Sequence, residues 1–167
     1  MSSKIAIGFL VLILGLVNWS IYKKEKHLSD GRIVYLHLAP VDPRSLMQGD
    51  YMALDYQLSR EVYNTLSRQD ADSLDGYVIA TLDGREIASF KGIYKDQKLR
   101  KNEILLRYRM RHGSVKFATN AFFFQEGHGK YYERARYGQF RVDESGELLL
   151  VAMYDENLNK LEPVGKL

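Results

Sequence analysis

The chain has 167 residues, enough for one domain and an additional membrane anchor. It contains no cysteine, which excludes disulfides, thiolate metal sites and a cysteine nucleophile. The net charge is +3, but four of the 24 basic residues and one of the 21 acidic residues lie in residues 1–26, so 20 of each remain in a neutral remainder. The basic balance therefore gives no argument for nucleic-acid binding.

The first predicted element is a transmembrane helix. The run Ile5 to Ile21 is mostly apolar, at the short end of the about 17–25 residues that a spanning helix needs. Trp19 and Tyr22 stand where interfacial aromatic residues belong. A cleaved signal peptide is the alternative, but no A-x-A-like cleavage site follows. The sequence predicts an uncleaved single-pass anchor over residues 1–26 and a short polar tether over residues 27–31.

The charges on either side of this anchor bear on its orientation. Lys4 and the terminal amine precede the apolar run, whereas a larger basic group follows it, comprising Lys23, Lys24, Lys26 and Arg32. By the positive-inside rule alone, this distribution leans weakly toward a cytoplasmic domain.

The rest of the chain reads as a mainly β domain over residues 32–162, with a tail at residues 163–167. Alternation predicts a first strand over Arg32–Leu38, and helical spacing of apolar residues predicts a helix over Ser59–Ser67. Asp83-Gly84 is typical of a two-residue hairpin turn. The later predicted strands are Gly76–Leu82, Arg85–Tyr94, Glu103–Arg111, Ser114–Phe124, Tyr137–Val142 and Glu147–Tyr154. Evenly spaced strands with turns between them favour a β-sandwich or a partly open barrel with one or two short helices.

The densest stretch of the sequence runs from Asp42 to Tyr56. It begins with a proline turn, passes Gly49, and enters a strand that reads G-D-Y-M-A-L-D-Y. An Arg44–Asp50 ion pair that ties the turn down is one interpretation of its charged residues. The other is a ligand or partner site, because loops on a rigid scaffold often carry function.

A second block, Phe122 to Gly129, reads F-F-F-Q-E-G-H-G and is followed by Glu133. Together the two blocks resemble the bacterial GDYXXLXY family, over roughly residues 32 to 161. The resemblance implies a small membrane-anchored, mostly β domain outside the cytoplasmic membrane, of no established activity, in a family that tends to accompany multi-pass membrane proteins. The matching residues are Asp42, Pro43, Arg44, Gly49, Asp50, Tyr51, Leu54, Tyr56, Glu126, Gly127, Gly129 and Glu133.

Two further surfaces are suggested by alternation along predicted strands. Arg107, Arg109 and Arg111 point to one side of their strand, as either a solvated face or a basic patch that binds an acidic partner, anionic lipid or an envelope polymer. The three phenylalanines of Phe122–Phe124 cannot all face one side of a strand, so a second apolar surface must meet at least one of them.

Catalytic and metal chemistry have weaker support. The four histidines share no metal-ligand spacing, and no cofactor is predicted. A hydrolase could use rim carboxylates from Asp50, Asp55, Glu126 and Glu133 if the two blocks meet in space. Ser45 with Lys91 or Lys95 would be a second arrangement, although the S-M-x-P motif of Ser–Lys signal peptidases is missing.

The favoured functional prediction is a non-catalytic, membrane-anchored binding or scaffolding domain of the inner membrane. We expect its domain to face the periplasm and to act with another membrane protein. Its partners are then the lipid bilayer and that protein, with no nucleic acid, and the oligomeric state stays open. The predicted partner rim comprises Asp42, Arg44, Gly49, Asp50, Tyr51, Tyr56, Glu126, Gly127, Gly129 and Glu133.

Overall fold

A computed structural model describes residues 2–39, 47–48, 51–66, 75–111 and 113–163. Three helices and ten strands are found among these residues, and strands predominate as predicted. The elements are α1 (Ser2–Asp30), β1 (Arg32–His37), β2 (Met47–Gln48), β3 (Tyr51–Ala53), α2 (Gln57–Leu66), β4 (Asp75–Leu82), β5 (Ala88–Ile93), β6 (Glu103–Arg111), β7 (Ser114–Lys116), β8 (Ala121–Phe123), α3 (Gly129–Tyr132), β9 (Tyr137–Val142) and β10 (Leu148–Tyr154).

The strands form three sheets, ordered β1-β9-β10, β2-β3-β8 and β5-β4-β6-β7. A parallel bridge between Tyr35 and Ile87 joins the first sheet to the third. Elsewhere the Arg107 amide of β6 donates to the Gly146 carbonyl, in the turn between β9 and β10, at 2.8 Å. The result is a curled half-barrel, which agrees with the partly open barrel expected from the sequence.

The core lies inside this curled sheet and beneath α2. Val34 and Leu36 of β1 are fully buried, because alternate residues of a strand face the same side. Helix α2 packs Leu58, Val62 and Leu66 into this core, because their spacing puts them on one helical face. The sequence predicted this helix, although its observed start lies two residues earlier than expected.

Two turn predictions need correction. Asp83-Gly84 does not form a two-residue hairpin: three residues, Gly84 to Glu86, separate the hydrogen-bonded pair Asp83 and Ile87. The Asp83 carboxylate accepts hydrogen bonds from the Arg85 and Ile87 amides, and Glu86 takes a φ of 60°. This side-chain capping favours the longer turn, a type I turn followed by one left-handed residue.

The predicted strand Ser114–Phe124 is also wrong as one element. It breaks after Lys116, and Ala118 has a φ of 47° that no strand allows. The segment beyond the break, β8, leaves β6 and pairs with β3 instead. The connecting segment forms hydrogen bonds with another part of the chain: the Asn120 carbonyl accepts a hydrogen bond from the Leu54 amide.

The predicted polar tether at residues 27–31 is also structured. Residues 27–30 continue α1 to its end at Asp30, and the Gly31 amide donates to the His27 carbonyl at 3.1 Å. The tether therefore contains the last turn of the helix, because its residues find hydrogen-bond partners within the helix and on β9.

Candidate functional site

The two motif blocks meet in space. Strand β3 of the first block pairs antiparallel with β8 of the second, which places Tyr51 opposite Phe123 and Met52 opposite Phe122. The contact between blocks about 70 residues apart, which the alternative hydrolase required, is therefore present. Two short strands, each supplied by one block, form the centre of the candidate site.

The pairing sorts the aromatic side chains onto two faces. On one face the rings of Tyr51 and Phe123 lie with centroids 5.8 Å apart, and Phe123 is 74% exposed. On the other, Phe122 and Phe124 pack against Tyr132 of α3, at 5.0 Å and 5.4 Å between centroids. The expectation that the three phenylalanines cannot all face one side is confirmed, whereas no second apolar surface within the described residues covers Phe123, which is left to solvent.

Tyr56 has a place in the core and not on the rim surface. Its side chain is 2% exposed, its ring packs edge-on against Phe140 at 5.6 Å, and its hydroxyl donates to the Thr119 carbonyl at 3.1 Å. Burial, with a smaller contribution from the Asp55 charge, raises the pKa of Tyr56 far above its ordinary value. The neutral Tyr56 hydroxyl ties the residue just before α2 to the segment before β8.

Asp55, an acidic residue of the same block, lies two residues before the start of α2. Its carboxylate accepts a hydrogen bond from the Tyr56 amide and pairs with Arg60 at 3.0 Å. A negative charge here also interacts favourably with the positive end of the helix dipole. These contacts support the structural interpretation of Asp55, which is not positioned as a free carboxylate.

The second block turns immediately after Phe124. The His128 amide donates to the Gln125 carbonyl at 3.0 Å, and Gly127 takes a φ of +80°, which favours glycine. Helix α3 then starts at Gly129 and ends just before Glu133. Glu126 and Glu133 are exposed, and neither has an ion-pair partner within the described residues.

Four further residues of the predicted rim are not among the residues that the structure describes. Asp42, Arg44, Gly49 and Asp50 lie outside the described residues, as do Ser45 of the alternative hydrolase and His112. Lys91, a predicted base for Ser45, is in an ion pair with the buried carboxylate of Glu103. Among the residues described, no three His, Asp or Glu side chains come together as metal ligands.

The arginine row lies on one face of β6, as alternation predicts, but its charge is partly neutralised. Glu147 pairs with Arg107 and, at 3.3 Å, with Arg109. Asp75 pairs with Arg111 at 2.9 Å and with Arg107 at 3.7 Å. The hydrogen bond that Arg107 donates to the Glu147 carboxylate is the main reason that the pKa of Arg107 is raised. Two carboxylates thus face three guanidinium groups at the seam where the β9–β10 turn meets β6.

Sequence reasoning missed the importance of that turn, residues 143–147. The Asp143 carboxylate accepts from the Ser145 and Glu147 amides, as Asp83 does in its own turn. Gly146 has a φ of +78°, and a Cβ there would lie 3.0 Å from the Leu105 carbonyl oxygen. The turn Asp155–Asn159 repeats the same capping, with Leu158 at a φ of 60°. The sequence does contain a signal for these turns: each capping aspartate lies four residues before a residue whose amide its carboxylate binds.

Comparisons with known proteins extend the motif match. A family model described as GDYXXLXY protein matches residues 13–153, most of the chain. The resemblance inferred from the two blocks is therefore confirmed, and it reaches into α1. No curated protein and no solved structure matches the chain.

Proposed function

The chain belongs to the GDYXXLXY protein family, and from this premise we propose that it is a membrane-anchored, non-catalytic binding domain acting with another membrane protein. The proposed binding face is the Tyr51–Phe123 pair at the centre of the two motif blocks. The bilayer and the partner protein are its two contacts.

The observation that carries this proposal is the exposure of Phe123. Burying a phenylalanine side chain stabilises a protein by about 1.5–3 kcal/mol, and here two neighbouring phenylalanines are packed while the central one stays 74% exposed. The Tyr51 ring beside it extends the apolar surface. Aromatic residues are enriched in the centres of protein interfaces, and an exposed Phe123 beside a half-buried Tyr51, held by two paired strands, suits that use.

The rigid surroundings of the pair also favour binding. Phe122 and Met52, the residues next to the Tyr51–Phe123 pair, are held in the core cluster or packed against it. Because core contacts of Met52 and Phe122 hold the two strands in place, Tyr51 and Phe123 need little ordering when a partner binds. A preorganised contact loses less entropy on association.

The anchor is α1, which is long and apolar enough to cross a membrane. We place it in the cytoplasmic membrane as a single span, with the domain on the periplasmic side as the family resemblance implies. Reporter fusions to the C-terminus test the side: one enzyme active only outside the cytoplasm, and its counterpart active only inside. Activity of the cytoplasmic reporter alone would reverse the orientation.

The binding proposal is tested by photo-crosslinking in native membranes. A benzophenone amino acid replaces Phe123 in one chain and Val151, which is 41% exposed on β10, in a matched control. We expect a discrete adduct of higher mass from position 123 and none from position 151. Equal adducts from both positions, or none from either, would contradict the proposed face.

A further inference from the structure

The end of α1 is fastened to the β domain by specific contacts. His27 Nε2 lies 2.9 Å from the Arg141 carbonyl oxygen, and the Arg141 guanidinium donates to the Gly31 carbonyl at 2.9 Å. His27 Nδ1 is also 3.8 Å from the Asp143 carboxylate. Gly31 is needed for this approach, because a Cβ there would lie 3.0 Å from Arg141 Cβ and 2.5 Å from the His27 carbonyl oxygen.

The remainder of α1 points away from the domain. Residues 5–26 and 28–30 are exposed, and only His27 and Gly31 at the end of the helix are covered. The helix therefore meets the domain end-on and does not lie along its side. Residues Tyr22 to Asp30 extend it by about 13 Å beyond the apolar run, at 1.5 Å per residue.

The strand register places the motif blocks at the opposite end of the domain. Arg32, which follows the helix, pairs with Val142, whereas His37 at the other end of β1 pairs with Tyr137. Beyond His37, Leu38 forms a bridge to Tyr56 of the motif, which leads directly to β3 and β8. Six residues of β1 separate the two ends by about 20 Å.

We propose that α1 and the β domain form one rigid unit, which holds the Tyr51–Phe123 pair at the membrane-distal end of the domain. There the pair fits an apolar surface on the extramembrane part of a partner protein and does not touch the bilayer. The helix extension alone carries the start of β1 about 13 Å beyond the apolar run, which exceeds the headgroup layer of about 5–8 Å, and β1 then leads away from the helix end toward the motif blocks. The partner's identity rests on the binding function proposed above; the rigidity and the distance from the bilayer do not.

The absence of native cysteine makes a clean test possible in the full chain, reconstituted in lipid nanodiscs. Spin labels at Lys24→Cys and Ser89→Cys, both exposed positions, report the distance between helix and domain. We expect one narrow distance distribution. It should become at least twice as broad when His27→Ala and Arg141→Ala remove the junction contacts. A broad distribution in the otherwise unaltered chain would overturn the rigid unit.

Distance from the bilayer is measured with a fluorophore at Phe123→Cys and quenchers attached to lipid tails or headgroups. We expect less than about a tenth of the quenching seen for a Tyr22→Cys control at the interface. Comparable quenching at both positions would overturn the membrane-distal placement and assign the aromatic pair to lipid. Neither measurement needs a partner, so a failed crosslink at position 123 would contradict the binding function alone.

Discussion

Tyr51 and Phe123 lie directly opposite each other across the β3–β8 pair, with ring centroids 5.8 Å apart. Each comes from a different motif block, so neither block forms this face without the other. The residues beside them, Met52 and Phe122, face the core side. The two blocks thus build this part of the fold together and place on its other face the aromatic pair that we propose as the binding face.

Tyr56, although it belongs to the motif, is predicted to matter for stability. Tyr56→Phe removes the hydroxyl that donates to the Thr119 carbonyl and should lower the free energy of unfolding by about 1 kcal/mol. Thermal unfolding of the full chain in detergent measures the change. Tyr131→Phe, at an exposed ring, is the control and should be close to neutral. An unchanged midpoint for Tyr56→Phe would show that the buried hydrogen bond is not formed.

Gly146 should be the glycine least tolerant of a side chain among three turn glycines. Gly146→Ala meets both a positive φ and the Leu105 carbonyl oxygen, so we expect a loss above about 1–2 kcal/mol. Gly113→Ala shares the positive φ in open space and should cost less, while Gly84→Ala has neither problem and should be near neutral. Chemical denaturation gives the three values. Equal losses for Gly146→Ala and Gly113→Ala would contradict the close contact between the β9–β10 turn and β6.

Acid stability should depend on the aspartates that cap the turns. At Asp143, burial alone would raise the pKa, but hydrogen bonds from Ser145 and Glu147 and the His27 charge together lower it below its ordinary value of 3.8. A pKa lowered by folding stabilises the protein fully above the unfolded value, and this stability is lost as the pH falls through the folded value. The sensitive window therefore lies below about pH 4.

Asp143→Asn keeps an oxygen acceptor for the two turn amides but removes the charge. We expect this variant to be less stable at neutral pH and to lose less stability on acidification than the unaltered chain. Unfolding midpoints between neutral pH and acid measure both effects. Asp96→Asn, at an exposed aspartate outside the three capped turns, is the control. Parallel pH profiles for Asp143→Asn and the unaltered chain would refute the linkage.

Glu147 should matter more for stability than an ordinary surface glutamate. Glu147→Gln removes the carboxylate shared by Arg107 and Arg109, which leaves like charges on one strand face beside Arg111. We expect a lower unfolding temperature, with a smaller effect in high salt because charge repulsion is screened. Glu86→Gln, at the exposed pair with Arg32, is the matched variant and should change little. If both variants behave alike, the arginine row is a solvated surface and not part of the barrel seam.

Local sequence signals predicted much of this fold. The strand Tyr137–Val142 was predicted with its exact bounds, because alternation and turn residues mark both ends. The alternation of Arg107, Arg109 and Arg111 against buried neighbours was also correct. These features depend on residues close together in the chain.

The errors arose where distant segments compete for the same backbone groups. Phe122 looked like the continuation of a strand from Ser114, and only the pairing with Met52 explains why the chain breaks and changes sheets. Similarly, the sequence could not show which acidic residue neutralises Arg107, because its partner Glu147 is 40 residues away in the chain. Candidate-site residues were found by motif, but Phe123 could not be separated from its two neighbours until the inward and outward faces were known.

The most direct test of the binding face is a competition titration. Membranes carrying the photo-crosslinkable chain at position 123 are mixed with increasing amounts of detergent-solubilised competitor chains, and adduct yield is measured. We predict that the unaltered chain and Val151→Ser suppress the adduct equally, whereas Phe123→Ser, with an unchanged unfolding temperature, fails to suppress it. Suppression by folded Phe123→Ser equal to that of the unaltered chain would contradict the claim that the Tyr51–Phe123 pair binds the partner.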